Sequence, residues 1–244
     1  MNVGNSVRKA IDDWERGETD AAMSHACNAV DGTAKKVYPS LGSNARFTRL
    51  LRDNYAILGP LGMPGINLVE TRFAVKVERP KAPGGKPDLA DVFFGVHRCS
   101  HGHGEELPDG FELMPDARQP VRAGELRKTT VKVVRGAIRL SDRIIFGVIA
   151  VPVLSPANKD QHVPNGYYLT FGAEEKLIIT EWWGRATDFP AIAAPEPVPS
   201  ITLDFNEWMR EIDTGNQSMK PTAPLRNMFR VIARPPCRSL SLSR

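Results

Sequence analysis

The sequence has few cysteines and no long apolar run. Its three cysteines, Cys27, Cys99 and Cys237, lie far apart, and no CxxC pair occurs. The sequence therefore indicates neither a thiolate zinc site nor a disulfide framework, and an odd cysteine count is typical of a reducing cytoplasm. The longest apolar stretch, Ile144–Leu154, is far shorter than the roughly 20 residues that span a bilayer. The N-terminus also lacks a signal-peptide pattern, so we expect a cytoplasmic protein without a membrane partner.

Several common catalytic and nucleotide-binding motifs are absent as well. The sequence contains no GxGxxG, no P-loop, no HExxH and no GxSxG, so it gives no support for the dinucleotide, phosphate, zinc-protease or serine-hydrolase sites that those motifs build. The net charge is +4 and the sequence pI is near 9.0. This mildly basic balance favours a polyanionic partner.

Apolar residues at helical spacing predict a mainly α-helical protein. The pattern gives helices over residues 5–16, 19–38, 43–58 and 141–151, and we also interpret 68–77 as a helix. On the third helix, Arg46, Arg49 and Arg52 are spaced by three and should form a basic ridge. Such a ridge is usually a solvated face, with phosphate contact as the alternative.

Short β elements interrupt this helical pattern. Alternating apolar residues predict two strands within 121–140, joined at Gly136, and a β-hairpin formed by Tyr167–Phe171 and Lys176–Trp183. Residues 59–65 read as a sharply turning loop, and residues 107–119 as an exposed linker. The Pro-rich segment from 190 reads as a largely disordered tail, in which 201–210 can form a short strand or helix. We therefore expect a helical bundle over 1–155, the hairpin packed on it over 156–189, and the tail over 190–244.

The most unusual stretch is Asp88–Glu106, DLADVFFGVHRCSHGHGEE, which reads as a helix that runs into a glycine-spaced turn. Asp88, directly after Pro87, is the predicted N-cap of this helix. It holds Arg98 and three of the five histidines, His97, His101 and His103. Metal-free RNA cleavage needs an acid or base that titrates near neutrality, which imidazole supplies. It also needs a permanent cation beside the crowded phosphorane, which guanidinium supplies. Arg98 and His103, with four residues between them, provide this pair.

A largely helical chain whose late helix ends in Arg-x4-His, followed by another apolar helix, resembles the HEPN-domain superfamily. Its members include RNase toxins and antiviral-defence nucleases with the motif Arg-x4–6-His. The resemblance covers roughly residues 5–155 and implies an antiparallel helical bundle with Arg98 and His103 as catalytic residues. His101 is an alternative partner for Arg98. The resemblance further implies RNA as substrate, no cofactor, a homodimer whose two motifs face each other, and action in stress or phage defence, with an antitoxin as a further partner.

A metal site is one alternative for the same histidines. His97 and His101 are four residues apart and share a helical face, and His103 can fold back from the turn. Three imidazoles suit zinc, and Glu105 or Glu106 can complete the coordination. This interpretation predicts a metal-dependent enzyme.

A non-catalytic role is the other alternative. Gly102 and Gly104 supply the left-handed geometry that ends a helix, and cations near a helix C-terminus interact favourably with its dipole. The histidines would then only close the helix. The protein would be a helical module that binds a protein or nucleic-acid partner.

Overall fold

A computed structural model describes residues 2–73, 77–100, 111–115, 131–134, 137–171, 175–193, 200–203 and 229–232. The protein is mainly helical with a few short strands, as the sequence predicted. Within these residues, no helix combines the length and the apolar character that a bilayer crossing requires.

The first two helices form the base of the fold. Helix α1 spans Val3–Arg16 and α2 spans Thr19–Val37, and they pack against each other along their buried faces. Asn2 caps α1 by accepting from the Asn5 N–H, three residues before the predicted start. Gly17 ends α1 with a φ of 87°, a left-handed conformation that favours glycine.

The third predicted helix is two helices. Helix α3 spans Ser43–Asp53, the chain bends at Asn54, and α4 spans Tyr55–Gly62. The prediction of a sharply turning loop from Gly59 is therefore wrong up to Gly62. The helix continues because its apolar side chains, including Leu58 and Leu61, are fully buried.

Helix α6, Ile144–Leu154, is the centre of the core, and all of its residues are buried. The sequence predicted a buried helix here, but ended it at Pro152, whereas the last turn continues to Leu154. The helix crosses α4 at two glycines: a Cβ on Gly147 would lie 2.6 Å from the Leu58 carbonyl oxygen and 2.9 Å from the Gly62 Cα. The two backbones touch because neither glycine has a side chain.

This crossing leads to a first prediction. Gly147→Ala should lower the free energy of unfolding by about 1–3 kcal/mol, since the added methyl group forces the two helices apart. Gly59→Ala is the matched control on α4, because its Cβ would only contact Leu68 Cδ1 at 3.8 Å. Alanine should be neutral or stabilise there by up to about 1 kcal/mol. Urea titrations of both variants measure this, and equal effects would contradict the close-approach argument.

A three-stranded sheet in the order β1–β3–β2 lies on this core. Its strands are Phe111–Met114, Val131–Val134 and Ala137–Ser141. Strands β2 and β3 correspond to the two strands that the sequence predicted. They pair antiparallel, and β1 is parallel to β3. The prediction of an exposed linker is wrong over β1, because Phe111 and Leu113 are buried.

The segment after α6 is tied to the helices by hydrogen bonds. It forms the predicted hairpin, although the second strand is shorter than predicted and leads into a helical turn. Tyr167 donates to Asp12 on α1 at 2.7 Å, and the Gly184 N–H donates to the Val153 carbonyl of α6 at 2.9 Å. The elements are β4 (Tyr168–Phe171), β5 (Glu175–Ile178), α7 (Ile179–Trp182) and α8 (Phe189–Ile192).

Two further strands pair antiparallel in the C-terminal segment. They are β6, Ser200–Leu203, and β7, Phe229–Ile232. Strand β6 overlaps residues 201–210, where the sequence allowed a short strand or helix, whereas β7 lies in the part of the tail that it predicted to be disordered.

Candidate functional site

The candidate catalytic arginine lies on a helix with two geometries. Leu89–Val92 is an α-helix (α5), and Phe93–Ser100 continues it as a π-helix. We call Leu89–Ser100 the Arg98 helix. Short π-helical segments often occur at functional sites, and this eight-residue segment carries His97 and Arg98. For these two residues the structure describes the backbone only, and His101 and His103 lie outside the described residues.

Asp88 begins the Arg98 helix and pairs with α3. Its carboxylate accepts from the Asp91 N–H at 3.0 Å, which confirms the predicted cap. Arg52 donates to it twice, from Nε at 2.6 Å and from a terminal nitrogen at 2.9 Å. This bidentate arrangement is the strongest geometry for an arginine–carboxylate pair, so it fixes the start of the helix against α3.

Asp91 extends the same cluster to the preceding loop. Arg52 lies 2.8 Å from one of its oxygens, and the carboxylate also accepts from the backbone N–H groups of Lys81 and Ala82 at 2.8 and 2.9 Å. Both Asp88 and Asp91 are buried. One guanidinium and two carboxylates therefore join three segments: α3, the loop at 81–82 and the Arg98 helix.

Burial and pairing shift the pKa values in this cluster. Burial alone would raise the pKa of Asp88, but hydrogen bonds from Arg52 and from the Asp91 N–H outweigh it and hold that pKa below its ordinary value. Burial would lower the pKa of Arg52, but the two carboxylates raise it. Burial also raises the pKa of Tyr55, whose hydroxyl accepts from the Ala90 N–H, well above its usual range. Asp88 and Arg52 therefore form a charged pair at neutral pH, and the pair has a structural role.

The predicted basic ridge on α3 is not a free phosphate-binding surface. Arg46 pairs with Asp31 at 3.1 Å and Arg49 with Asp53 at 3.5 Å, while Arg52 is held by Asp88 and Asp91. Spacing alone showed the ridge but missed its partners. One feature of the sequence did point to the partners of Arg52, because Asp88 and Asp91 are three residues apart at a predicted helix start.

Apolar packing holds the middle of the Arg98 helix. Phe93 and Val96 are fully buried, and Phe94 makes an edge-to-face contact with Phe47 of α3, with ring centroids 5.6 Å apart. The chain at Val77 passes directly over Gly95, where a Cβ would lie 1.9 Å from Val77 Cγ1. Residues 77–82 therefore run beside this helix, from Gly95 back to Asp91. The prediction of a helix over 68–77 is wrong for 68–73 and 77, which form turns and extended chain.

The described residues offer no alternative metal centre. Their side chains contain no group of three His, Cys, Asp or Glu that could hold a metal ion. The predicted zinc ligands His97, His101 and His103 fall outside this search, because their side chains are not described. Elsewhere, His25 lies 3.5 Å from Asp13, and His162 is exposed in the loop after α6.

Comparison with known proteins identifies relatives in mycobacteria. "Uncharacterized protein Rv1289" of Mycobacterium tuberculosis H37Rv and "Uncharacterized protein Mb1320" of Mycobacterium bovis are each 37% identical to this chain over 209 residues. The alignments cover 85% of this chain and 95% of each relative. No solved structure matches the chain. The profile of the Rv1289 family matches residues 2–209, and the chain therefore belongs to the Rv1289 family.

Proposed function

We propose that this chain is a metal-independent endoribonuclease of the HEPN type. Arg98 stabilises the phosphorane, and His103 acts as acid or base, with His101 as its alternative. The observation that supports the proposal best is the placement of Arg98. It lies at the π-helical end of a helix whose start is fixed in the core by the Arg52–Asp88–Asp91 cluster. A rigid support matters because catalytic groups must hold their position to within about an ångström.

The proposed reaction uses the RNA's own 2′-hydroxyl as the nucleophile. A base removes its proton, the 2′-oxygen forms a bond to phosphorus, and the bond from phosphorus to the 5′-oxygen breaks as that oxygen takes up a proton. The products are a 2′,3′-cyclic phosphate and a free 5′-hydroxyl. Arg98 offsets the charge that accumulates on the phosphoryl oxygens, and His103 moves a proton.

The proposal includes the assembly that the resemblance implies. Two chains would form a homodimer with their Arg98–His103 pairs facing each other. The activity would serve stress or phage defence in the cytoplasm, under the control of an antitoxin. The basic net charge of +4 is compatible with an RNA substrate.

A cleavage assay in excess EDTA tests the proposal. The purified full chain should cut a labelled RNA under these conditions and leave the all-2′-deoxy analogue intact, since only RNA carries the nucleophile. Mass spectrometry of the fragments should find 2′,3′-cyclic phosphate ends. RNA that stays intact in EDTA, together with no growth defect on expression, would refute the ribonuclease and favour a binding module. Cleavage only after zinc is added would favour the metal-dependent alternative.

A further inference from the structure

Arg79 has an unusual backbone conformation. Its φ is 52°, and among the residues that the structure describes it is the non-glycine residue with a positive φ. The left-handed conformation is unfavourable for an ordinary L-residue, because its Cβ crowds the following carbonyl. Strained backbone conformations of this kind cluster at functional sites. Glycine would occupy the position without that cost, yet the chain has an arginine there.

The Arg79 side chain is also without a partner. It is exposed, and it makes no hydrogen bond or ion pair within the described part of the chain. Most other described arginines are engaged, for example Arg8 with Asp12, Arg16 with Asp13 and Arg185 with Asp188. The Lys81 side chain is also exposed, and it too makes no hydrogen bond or ion pair within the described residues. Two exposed cations, two positions apart in sequence, therefore face solvent.

Position connects these cations with the candidate site. Val77 contacts the Arg98 helix at Gly95, and the Lys81 N–H is bonded to Asp91 on the same helix. Arg79 lies midway between these two contacts, so its backbone is held beside the helix. Gly95 precedes Arg98 by three residues within the same π-helical segment.

We propose that Arg79 and Lys81 are phosphate-binding residues that hold a single-stranded RNA beside the Arg98 helix. This inference rests on the proposed function for its choice of RNA. The strand's backbone would contact Arg79 and Lys81 with phosphates adjacent to the one at Arg98. Guanidinium suits phosphate because its planar donors can bind two oxygens at once. Contacts of this kind position the strand without reading its sequence.

Salt-dependent binding of a non-cleavable probe tests the inference. The probe is a fluorescein-labelled 2′-O-methyl oligouridylate, which lacks the nucleophile, and binding to the full chain is followed by anisotropy. For single strands the slope of log K against log salt changes by about 0.7 for each phosphate contact. Arg79→Gly should therefore reduce the slope by about 0.7. The ratio of wild-type to variant affinity should then be about fivefold larger at 0.1 M salt than at 1 M salt. Lys81→Gln should have a similar effect.

Arg79→Gly separates binding from folding. Because glycine accepts a φ of 52° without strain, the variant should unfold at the same or a higher urea concentration than the wild type while binding RNA less well. Arg185→Gln is the charge control, since it removes one exposed cation from the segment after the hairpin. It should leave the slope unchanged.

The outcomes distinguish this inference from the proposed function. A wild type that binds the probe but cleaves no RNA, with binding weakened by Arg79→Gly, supports the phosphate contacts and refutes the ribonuclease. An unchanged slope in both Arg79→Gly and Lys81→Gln would overturn the inference. Equal weakening by Arg185→Gln would also overturn it, since general charge would then explain the loss. A wild type that does not bind the probe at 0.1 M salt would overturn it as well.

Discussion

Arg52→Ala is expected to lower the free energy of unfolding by about 3–5 kcal/mol, the usual cost of removing one partner from a buried ion pair. The substitution leaves two buried carboxylates, Asp88 and Asp91, without their common cation. It also removes packing, because the arginine is mostly covered. Urea denaturation followed by circular dichroism at neutral pH measures the loss.

Arg49→Ala is the matched control on the same helix. Arg49 pairs with Asp53 four residues on, but the side chains are 59% and 51% exposed. Exposed pairs of this kind contribute about 0.3–0.5 kcal/mol, so this variant should stay close to the wild type. Similar losses for both variants would contradict the anchoring role of Arg52.

The pair of Arg52 and Asp88 makes the stability of the protein depend on pH. The pKa of Asp88 is lower in the folded state than its ordinary value, because Arg52 and the Asp91 N–H stabilise the carboxylate. Its contribution is therefore present above the unfolded pKa, near pH 4, and is lost as the pH falls through the folded pKa. The wild type should lose stability on this acidic side more steeply than Arg52→Ala, where the pairing is already absent.

Elements defined by local periodicity could be predicted from the sequence. The apolar stripe of α2 and the uninterrupted apolar run of α6 specify helices by themselves, and Asp88 after Pro87 marks a helix start. These signals need only neighbours within one or two turns. They placed Arg98 on a helix, although the π-helical geometry of its last residues leaves no pattern in the sequence.

Features that depend on distant residues could not be predicted. Strand β1 forms because Phe111 pairs in parallel with Ile138, and nothing local to β1 indicates that partner. Likewise, the three arginines on α3 share one spacing but differ in partner: Arg46 reaches back to Asp31, whereas Arg52 reaches 36 residues forward to Asp88. Periodicity shows which face a residue occupies, but the packing of the helices decides which charge it meets.

His103→Gln is expected to lower the RNA cleavage rate by about 10²–10⁴-fold, the typical contribution of one positioned acid or base. Glutamine keeps hydrogen-bonding groups but cannot take up and release a proton near neutral pH. His162→Gln is the matched control, because His162 is exposed in the loop after α6 and has no role in the proposed reaction. Unfolding curves that match the wild type would show that the loss is chemical.

Arg98→Lys completes the prediction, because it keeps the charge but removes the bidentate fork. We expect a fall in kcat of about 10²–10³-fold, as for removal of one donor to a developing oxyanion, with a much smaller change in KM. The double variant Arg98→Lys, His103→Gln should be little worse than His103→Gln alone, because residues that act as a unit are not additive. If His103→Gln keeps full activity and His101→Gln loses it, the acid or base is His101. Full activity in Arg98→Lys and in both histidine variants would show that any RNA cleavage takes place elsewhere on the protein.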